Sequence, residues 1–175
     1  MRAGVALGSN LGDRLANLRA ARTKIADFTG VEAPILSSSI YETDPVGCEP
    51  GAGKFLNAVI EFDFTGNARE LLAQLRLIES ALGREREHAR NESRTLDLDL
   101  LYFGDTRIDN LELQLPHPRM HLRKFVLAPL VDIRPDLILP NQTKTVRELL
   151  ASLGESDRVI RLMNDWEFQR KIFEI

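Results

Sequence analysis

Two aspartates in the segment Arg94-Thr-Leu-Asp-Leu-Asp-Leu-Leu101 have the residue type and spacing of a metal-binding pair. Successive side chains of a β-strand point to opposite faces, so Asp97 and Asp99 would share one face while the leucines occupy the other. Their Cβ atoms would lie about 7 Å apart, close enough for both carboxylates to converge on one or two divalent cations. Oxygen ligands without a neighbouring His or Cys favour Mg²⁺ over zinc. A half-exposed strand whose acids only face water is the alternative that this alternation leaves open.

Four arginines precede these aspartates within eleven residues: Arg84, Arg86, Arg90 and Arg94. A guanidinium group matches phosphate oxygens two at a time, which a lysine ammonium cannot do. Metal ions bound to carboxylates commonly bridge the same phosphates. The combination predicts a phosphate-binding site rather than four separate solvated charges.

The segment from residue 116 to 125 supplies three further candidates. His117 stands between two prolines, so its backbone is nearly fixed and its ring is predicted to face the site. A structural hydrogen-bonding histidine is the alternative. Arg123 and Phe125 would share one side if the chain were extended, offering a charge and an aromatic face, although a core Phe beside a surface Arg fits equally.

Glycine-rich phosphate loops are excluded by their own spacing rules. Gly51-Ala-Gly53-Lys54 resembles the end of a P-loop, but Phe55 follows instead of Ser or Thr, and Cys48 stands where the first glycine belongs. Phosphate is therefore expected to be held by side chains and metal.

The elements that would position these residues follow the order strand, helix, strand, strand, helix, strand. This order predicts an α+β fold, a ferredoxin-like sandwich with a mainly antiparallel sheet and helices on one face. Breaker-rich residues 44–54 and polar residues 84–93 are predicted loops. The predicted elements are a strand at Ala3–Leu7, a helix capped by Asp13 and closed by Gly30, strands at Ile35–Tyr41 and Phe55–Phe64, a helix from Asn67 to Leu82, a strand at Leu96–Phe103 and a helix at Thr145–Leu153.

A single domain is expected from 175 residues, with residues 1–154 as the catalytic part and residues 155–175 as an extension of unassigned role. Apolar residues in 158–175 recur at roughly helical spacing. Whether the chain is a monomer or a homodimer is left open by the sequence.

Composition excludes several classes of protein. The net charge of −3 and the lack of aromatics between the basic residues argue against nucleic-acid binding. No apolar stretch approaches the ~20 residues of a membrane span. The N-terminus lacks the pattern of a secretory signal, and the lone Cys48 suits a reducing compartment, so a cytoplasmic location is expected.

The motifs between residues 3 and 140 together resemble the 6-hydroxymethyl-7,8-dihydropterin pyrophosphokinase family. Arg94–Leu101 and Pro116–Arg119 are highly specific, and the whole set occurs in the family's order. The set comprises Ala6–Arg14, Tyr41–Gly47, Phe55–Val59, Ile78–Glu79, Leu82–Arg84, Arg94–Leu101, Pro116–Arg119 and Phe125–Leu127.

This resemblance implies an ATP-dependent pyrophosphokinase of folate biosynthesis that transfers the β,γ-pyrophosphate of ATP to the pterin hydroxymethyl group and releases AMP. Two Mg²⁺ ions held by Asp97 and Asp99 would bridge the triphosphate, with Arg84 and Arg94 also catalytic. The residues implied to contact ATP are Glu79, Arg84, Arg86, Arg94, Leu100, His117 and Arg123.

For the pterin, the resemblance implies aromatic walls, an amide on the polar ring edge and further contacts from the first loop. A flat heteroaromatic ring is well matched by such groups. The implied residues are Thr43, Asp44, Val46, Phe55, Asn57 and Phe125. Residues 44–54 and 84–93 would act as lids that exclude water.

Three departures from the family pattern bear on function. Asn91-Glu92-Ser93 stands where many relatives have a Trp-Gly-Pro run, Phe55 replaces a tyrosine of some members, and Arg76 replaces a glutamine of some members. The altered lid leaves open a catalytically weak relative that only binds pterin or nucleotide, and formation of AMP would separate the two. An RNA-binding module, which the ferredoxin-like fold also serves, would need the exposed aromatic pattern of such modules, and that pattern is absent.

Overall fold

The computed structural model describes residues 1–45, 51–83, 93–154, 158–163 and 166. The predictions made for Val46, Arg84, Arg86 and Arg90, and for the altered lid at residues 91 and 92, lie outside the described residues. Within the described residues, no helix has the length and apolar character needed to cross a membrane.

Eight strands and four α-helices make up the described fold. The strands are β1 (Arg2–Ser9), β2 (Val31–Ser37), β3 (Ile40–Thr43), β4 (Phe55–Phe64), β5 (Asp97–Phe103), β6 (Ile108–Asp109), β7 (Gln114–Leu115) and β8 (Val159–Met163). The helices are α1 (Arg14–Ala26), α2 (Ala68–Ala81), α3 (Lys124–Ile133) and α4 (Val146–Ser152), with a 3₁₀ turn at Met120–Leu122.

An antiparallel sheet forms the centre of the molecule, with strand order β5-β1-β4-β3-β8. β4 is long enough to pair with β3 through Phe55–Asn57 and with β2 through its opposite end. β6 and β7 form a separate two-stranded hairpin. The predicted α+β, ferredoxin-like class is confirmed.

The two faces of the sheet carry different cores because side chains alternate along β1. Ala3, Val5 and Leu7 are buried beneath α1 and α2. Ala6 faces the other side, where α3 and α4 contribute most of a second core. The expectation of helices on one face alone was therefore wrong, since apolar residues of α3 and α4 cover the second face.

The helices α1 and α2 begin at the capping residues that the sequence predicts. The Asp13 carboxylate accepts the backbone N–H of Ala16 at 3.0 Å and so caps α1. Asn67 and Glu70 form the predicted capping box at the start of α2. α1 ends at Ala26, earlier than the predicted closure at Gly30, which lies in the turn to β2.

Two sequence predictions about strands need correction. The predicted strand Ile35–Tyr41 is interrupted between β2 and β3, because the Ser38 hydroxyl accepts the backbone N–H of Val59 at 2.9 Å in place of a strand carbonyl. Val159–Met163, expected at helical spacing, is the edge strand β8 paired with β3. Its apolar residues serve a half-exposed strand rather than a helix face.

Candidate active site

A cavity of about 1040 Å³ opens where β1 and β3 end and where β4 and β5 begin. Antiparallel pairing brings these ends together: Gly8 is the register partner of both Asn57 and Asp97. Every predicted site residue that the structure describes lines this cavity. They are Thr43, Asp44, Phe55, Asn57, Glu79, Arg94, Asp97, Asp99, Leu100, His117, Arg123 and Phe125.

Asp97 and Asp99 lie on the cavity face of β5, as their alternation with buried leucines predicts. Gly8 faces the first of them across the strand pair. A Cβ at Gly8 would come within 3.2 Å of the Asn57 amide oxygen and 3.8 Å of the Asp97 Cβ. The missing side chain therefore keeps the cavity open between the carboxylates and Asn57.

Glu79 of α2 fixes the strand that carries these carboxylates. β5 is an edge strand, so part of its backbone has no strand partner. The Leu98 backbone N–H donates to Glu79 Oε1 at 2.8 Å, and the Glu79 side chain is almost fully buried. The resemblance implies that Glu79 contacts the nucleotide. In the structure, its hydrogen bond positions the backbone between the two aspartates.

Each aspartate is paired with an arginine. Arg94 Nη1 lies 2.8 Å from Asp97 Oδ1, and Arg123 Nη1 lies 3.4 Å from Asp99 Oδ2. All four side chains are partly exposed to the cavity. The site therefore combines two acceptors for cations with two bidentate donors for phosphate oxygens.

Asn10 is a positioning residue that residue-level reasoning did not assign. Its Oδ1 accepts the Arg94 backbone N–H at 2.7 Å, and its own N–H donates to the Arg94 carbonyl at 3.1 Å. Its Nδ2 donates to Ser93 Oγ at 3.0 Å and to the Gly53 carbonyl at 3.3 Å. Asn10 thus connects the described ends of both predicted loops. The sequence signal that could have identified it is an amide side chain directly after the first strand.

His117 is held in one tautomer by the backbone. Its Nδ1 accepts the N–H of Arg119 at 3.2 Å, which places the proton of a neutral ring on Nε2. Burial lowers the pKa of His117, and the Asp99 charge only partly opposes this. Nε2 lies 4.0 Å from Asp99 Oδ2, so a neutral donor is directed at the carboxylate side of the cavity.

Arg123 and Phe125 meet at the start of α3. The chain is not extended here, as the shared side of Arg123 and Phe125 would require, because Phe125 is already helical and Arg123 is the N-cap residue. The Arg123 guanidinium carbon nevertheless lies 5.4 Å from the Phe125 ring centroid. A charge and an aromatic face do reach the cavity together.

Most of the described residues predicted to bind the pterin line the cavity on the β4 side of Gly8. The Asn57 Nδ2 donates to Thr43 Oγ1 at 2.7 Å, which fixes the orientation of the amide. Phe55 lies beside them at the start of β4. Asp44 pairs with Lys54 at 3.6 Å across the described ends of the first loop.

The β6–β7 hairpin is a further part of the cavity that sequence reasoning missed. Residues 109–114 line it, and Leu111 is fully exposed there. Arg76 also lines the cavity and donates through Nη2 to the Glu112 carbonyl at 3.4 Å. No sequence motif identifies this short polar hairpin. Its formation depends on the pairing of β6 with β7, which becomes apparent only in the structure.

The residues present fit magnesium held jointly with a substrate. Among the described residues, no group of three or more His, Cys, Asp or Glu side chains is gathered as a complete metal cage. Asp97 and Asp99 supply two hard oxygen donors at the cavity. Mg²⁺ is usually bound by one or two carboxylates, substrate phosphates and water, which matches this incomplete set.

Paired carboxylates and arginines that line one cavity beside a ferredoxin-like sheet are the groups expected of an enzyme that handles phosphate. Residues 4–135 match the family model described as 7,8-dihydro-6-hydroxymethylpterin-pyrophosphokinase. The chain therefore belongs to this family and is a pyrophosphokinase.

Curated relatives are named as pyrophosphokinases of a 6-hydroxymethyldihydropteridine. The chain is 48% identical to the 2-amino-4-hydroxy-6-hydroxymethyldihydropteridine pyrophosphokinase of Bacillus subtilis over 74% of this chain and 75% of that protein. It is 37% identical to the Haemophilus influenzae enzyme of that name over 86% of this chain and 92% of that protein. The predicted family is thereby confirmed.

Solved structures show the same fold. The HPPK-DHPS chain of Plasmodium falciparum, crystallised with pterin and p-hydroxybenzoate, aligns with a TM-score of 0.67 at 16% identity. The alignment covers 86% of this chain and 42% of that one, so this chain spans less than half of that longer protein.

Proposed function

We propose that this chain transfers pyrophosphate from ATP to 6-hydroxymethyl-7,8-dihydropterin, giving the pterin diphosphate and AMP in folate biosynthesis. Membership of the pyrophosphokinase family supports the reaction. The observation that carries the assignment to this site is one cavity lined by Asp97 and Asp99, by the two arginines paired with them and by Asn57, with only Gly8 between Asn57 and Asp97.

The pterin would occupy the end of the cavity at Asn57. The Thr43 hydroxyl accepts one amide hydrogen of Asn57, so the amide oxygen and the second hydrogen remain oriented for the polar edge of a ring. Phe55 and Phe125 line the same cavity and would supply apolar contact to the ring faces.

The triphosphate would lie along the carboxylate face of β5. Arg94 and Arg123 can exchange their present carboxylate partners for phosphate oxygens when ATP arrives, because both interactions use the same donors. The neutral His117 would add an Nε2 hydrogen bond without adding charge.

We propose that Asp97 and Asp99 hold two Mg²⁺ ions together with ATP. The bound ions would neutralise charge on the triphosphate during transfer. The two carboxylates would hold the ions, while Glu79 keeps the backbone between the carboxylates in place.

Transfer would need no covalent enzyme intermediate. The pterin hydroxymethyl oxygen forms a bond to the β-phosphorus, and the bond from that phosphorus to the α,β-bridging oxygen breaks. The hydroxyl proton is released and AMP leaves with the bridging oxygen. The chain's contribution is to align the two substrates and to balance the phosphate charge.

The proposal is tested by incubating the purified chain with ATP, MgCl₂ and the hydroxymethyl pterin and separating the nucleotides by ion-exchange chromatography. We expect AMP only when the pterin and Mg²⁺ are both present, with loss of turnover on addition of EDTA. ADP as the only nucleotide product would overturn pyrophosphate transfer. Pterin binding without any AMP would identify the catalytically weak relative instead.

A further inference from the structure

The described part of the C-terminal segment attaches to a strand of the cavity. β8 pairs with β3 along its length, with Val159 opposite Thr43 and Arg161 opposite Tyr41. Thr43 lies at the cavity, at the end of β3. We call Arg158–Met163 together with Trp166 the C-terminal clamp.

Two side chains anchor the clamp to the corner between β2 and β3. Arg161 Nε donates to Ser39 Oγ at 2.8 Å. The Trp166 ring is buried, and its Nε1 donates to the Ser38 carbonyl at 2.7 Å. Arg19 of α1 in turn donates through Nε to the Trp166 carbonyl at 2.7 Å.

The same corner is tied to the helix that carries Phe125. Asp132, in the last turn of α3, accepts the Tyr41 hydroxyl at 3.0 Å and the Ser39 backbone N–H at 2.9 Å. Arg161 Nη2 lies 3.6 Å from the same carboxylate. The clamp, β3 and α3 therefore share one network of hydrogen bonds and charge.

This network leads to the proposed pterin-binding amide. Thr43 Oγ1 accepts the Asn57 Nδ2 at 2.7 Å, so the placement of the Thr43 backbone determines the orientation of Asn57. β3 spans only Ile40–Thr43, and β8 supplies the strand partner on its outer side. A strand this short with one open edge frays more readily than one paired on both sides.

We propose that the C-terminal clamp is a positioning element for the pterin end of the site, acting through Thr43 on Asn57. The clamp would thus contribute to substrate binding by the catalytic domain. This inference rests on the proposed function, because it takes the pterin as the ligand of Asn57. Among the described residues, the clamp's hydrogen bonds, ion pair and strand pairing given above involve neither β5 nor Arg123, which would hold the nucleotide.

The test uses the full chain with Arg161→Ala and Trp166→Phe combined. These changes remove the side-chain anchors but keep a ring at position 166. Arg147→Ala is the matched control, because Arg147 pairs with Asp136 at 3.7 Å and both side chains are exposed. Steady-state KM values for pterin and for ATP, kcat and Tm are measured for each variant.

We expect the double variant to raise the pterin KM about three- to tenfold, the range of one net hydrogen bond, with the ATP KM within about twofold of wild type. The control should change neither constant. In a Thr43→Val background, which removes the hydroxyl that orients Asn57, the same double change should alter the pterin KM by less than about twofold.

Three results would overturn the inference: an unchanged pterin KM, an equal rise in both KM values alongside a lower Tm, or full additivity with Thr43→Val. Wild-type turnover in the same assay separates these results from failure of the proposed function. A wild-type chain that forms no AMP would overturn that function, and the clamp's role in pterin binding with it.

Discussion

Replacement of Glu79 distinguishes two roles for this buried carboxylate, positioning the β5 backbone and contacting the nucleotide. In the structure, Glu79 Oε1 accepts the Leu98 backbone N–H at 2.8 Å, between the two aspartates of β5. Glu79→Ala would leave that N–H buried without this acceptor, whereas Glu79→Gln keeps an acceptor oxygen of the same reach. The pair of variants therefore separates backbone positioning from charge.

The expected magnitudes follow from this bond. An unsatisfied buried N–H costs about 1–3 kcal/mol in the free energy of unfolding. At ~2–4 °C per kcal/mol for a chain of this size, Glu79→Ala should lower Tm by ~2–12 °C. A shift of the aspartates by about 1 Å would lower kcat by ~100-fold. Glu79→Gln should lose about 1 kcal/mol or less, because only the charge assistance is removed.

Differential scanning calorimetry gives Tm, and the AMP assay gives kcat and both KM values. The positioning role predicts a large effect on kcat and Tm in Glu79→Ala and a small one in Glu79→Gln. Wild-type Tm and kcat in Glu79→Ala, with a raised KM for ATP alone, would refute it and make Glu79 a nucleotide contact.

Three further predictions follow from other residues. Asp97→Asn and Asp99→Asn should each lower kcat by ~100-fold or more with Tm within about 3 °C of wild type, and near-normal turnover in both would remove the carboxylate assignment. Asn10→Ala should lower kcat and Tm together, because it removes the hydrogen bond to the Arg94 backbone. Unchanged kcat and Tm would show that Asn10 does not position Arg94. Burial raises the pKa of both Tyr41 and Tyr102, that of Tyr41 to about 12. The raised pKa of Tyr41 therefore stabilises the folded chain fully below about pH 10, and this stabilisation is lost as pH rises towards 12. The absorbance of the folded chain at 295 nm, which reports tyrosine ionisation, should stay flat from pH 9.5 to 10.5. A free tyrosine is about half ionised in that range.

The placement of site residues could be predicted from the sequence where it depends on a local period. The alternation of Asp97 and Asp99 with leucines predicts their common face, because side chains of a strand alternate wherever the strand lies in a sheet. The cap residues Asp13 and Asn67 predict helix starts for an equally local reason. Such rules need no knowledge of the tertiary structure.

Contacts between distant elements were not predictable in this way. The bond from Leu98 to Glu79 joins an edge strand to a helix, and nothing in either segment specifies the other. The interruption at Ser38 depends likewise on a hydroxyl competing for the N–H of Val59. Side-chain bonds to the backbone of another element become visible only once packing is known.

The edge strand β8 shows where periodicity misleads. Val159, Leu162 and Met163 stand three and four residues apart, which is helical spacing. In the structure they belong to a strand at the sheet edge, where partial exposure on both faces removes the usual alternation. Tertiary pairing with β3 overrides the local pattern.

Pyrophosphate transfer can be followed directly at the phosphorus atoms by ³¹P NMR. The chain is mixed with ATP, MgCl₂ and 6-hydroxymethyl-7,8-dihydropterin, and the products are quantified over time. We expect AMP and a pterin-linked diphosphate in a one-to-one ratio, with both former β- and γ-phosphorus atoms in the pterin product. ADP with a pterin monophosphate, or AMP with free pyrophosphate and unmodified pterin, would contradict it.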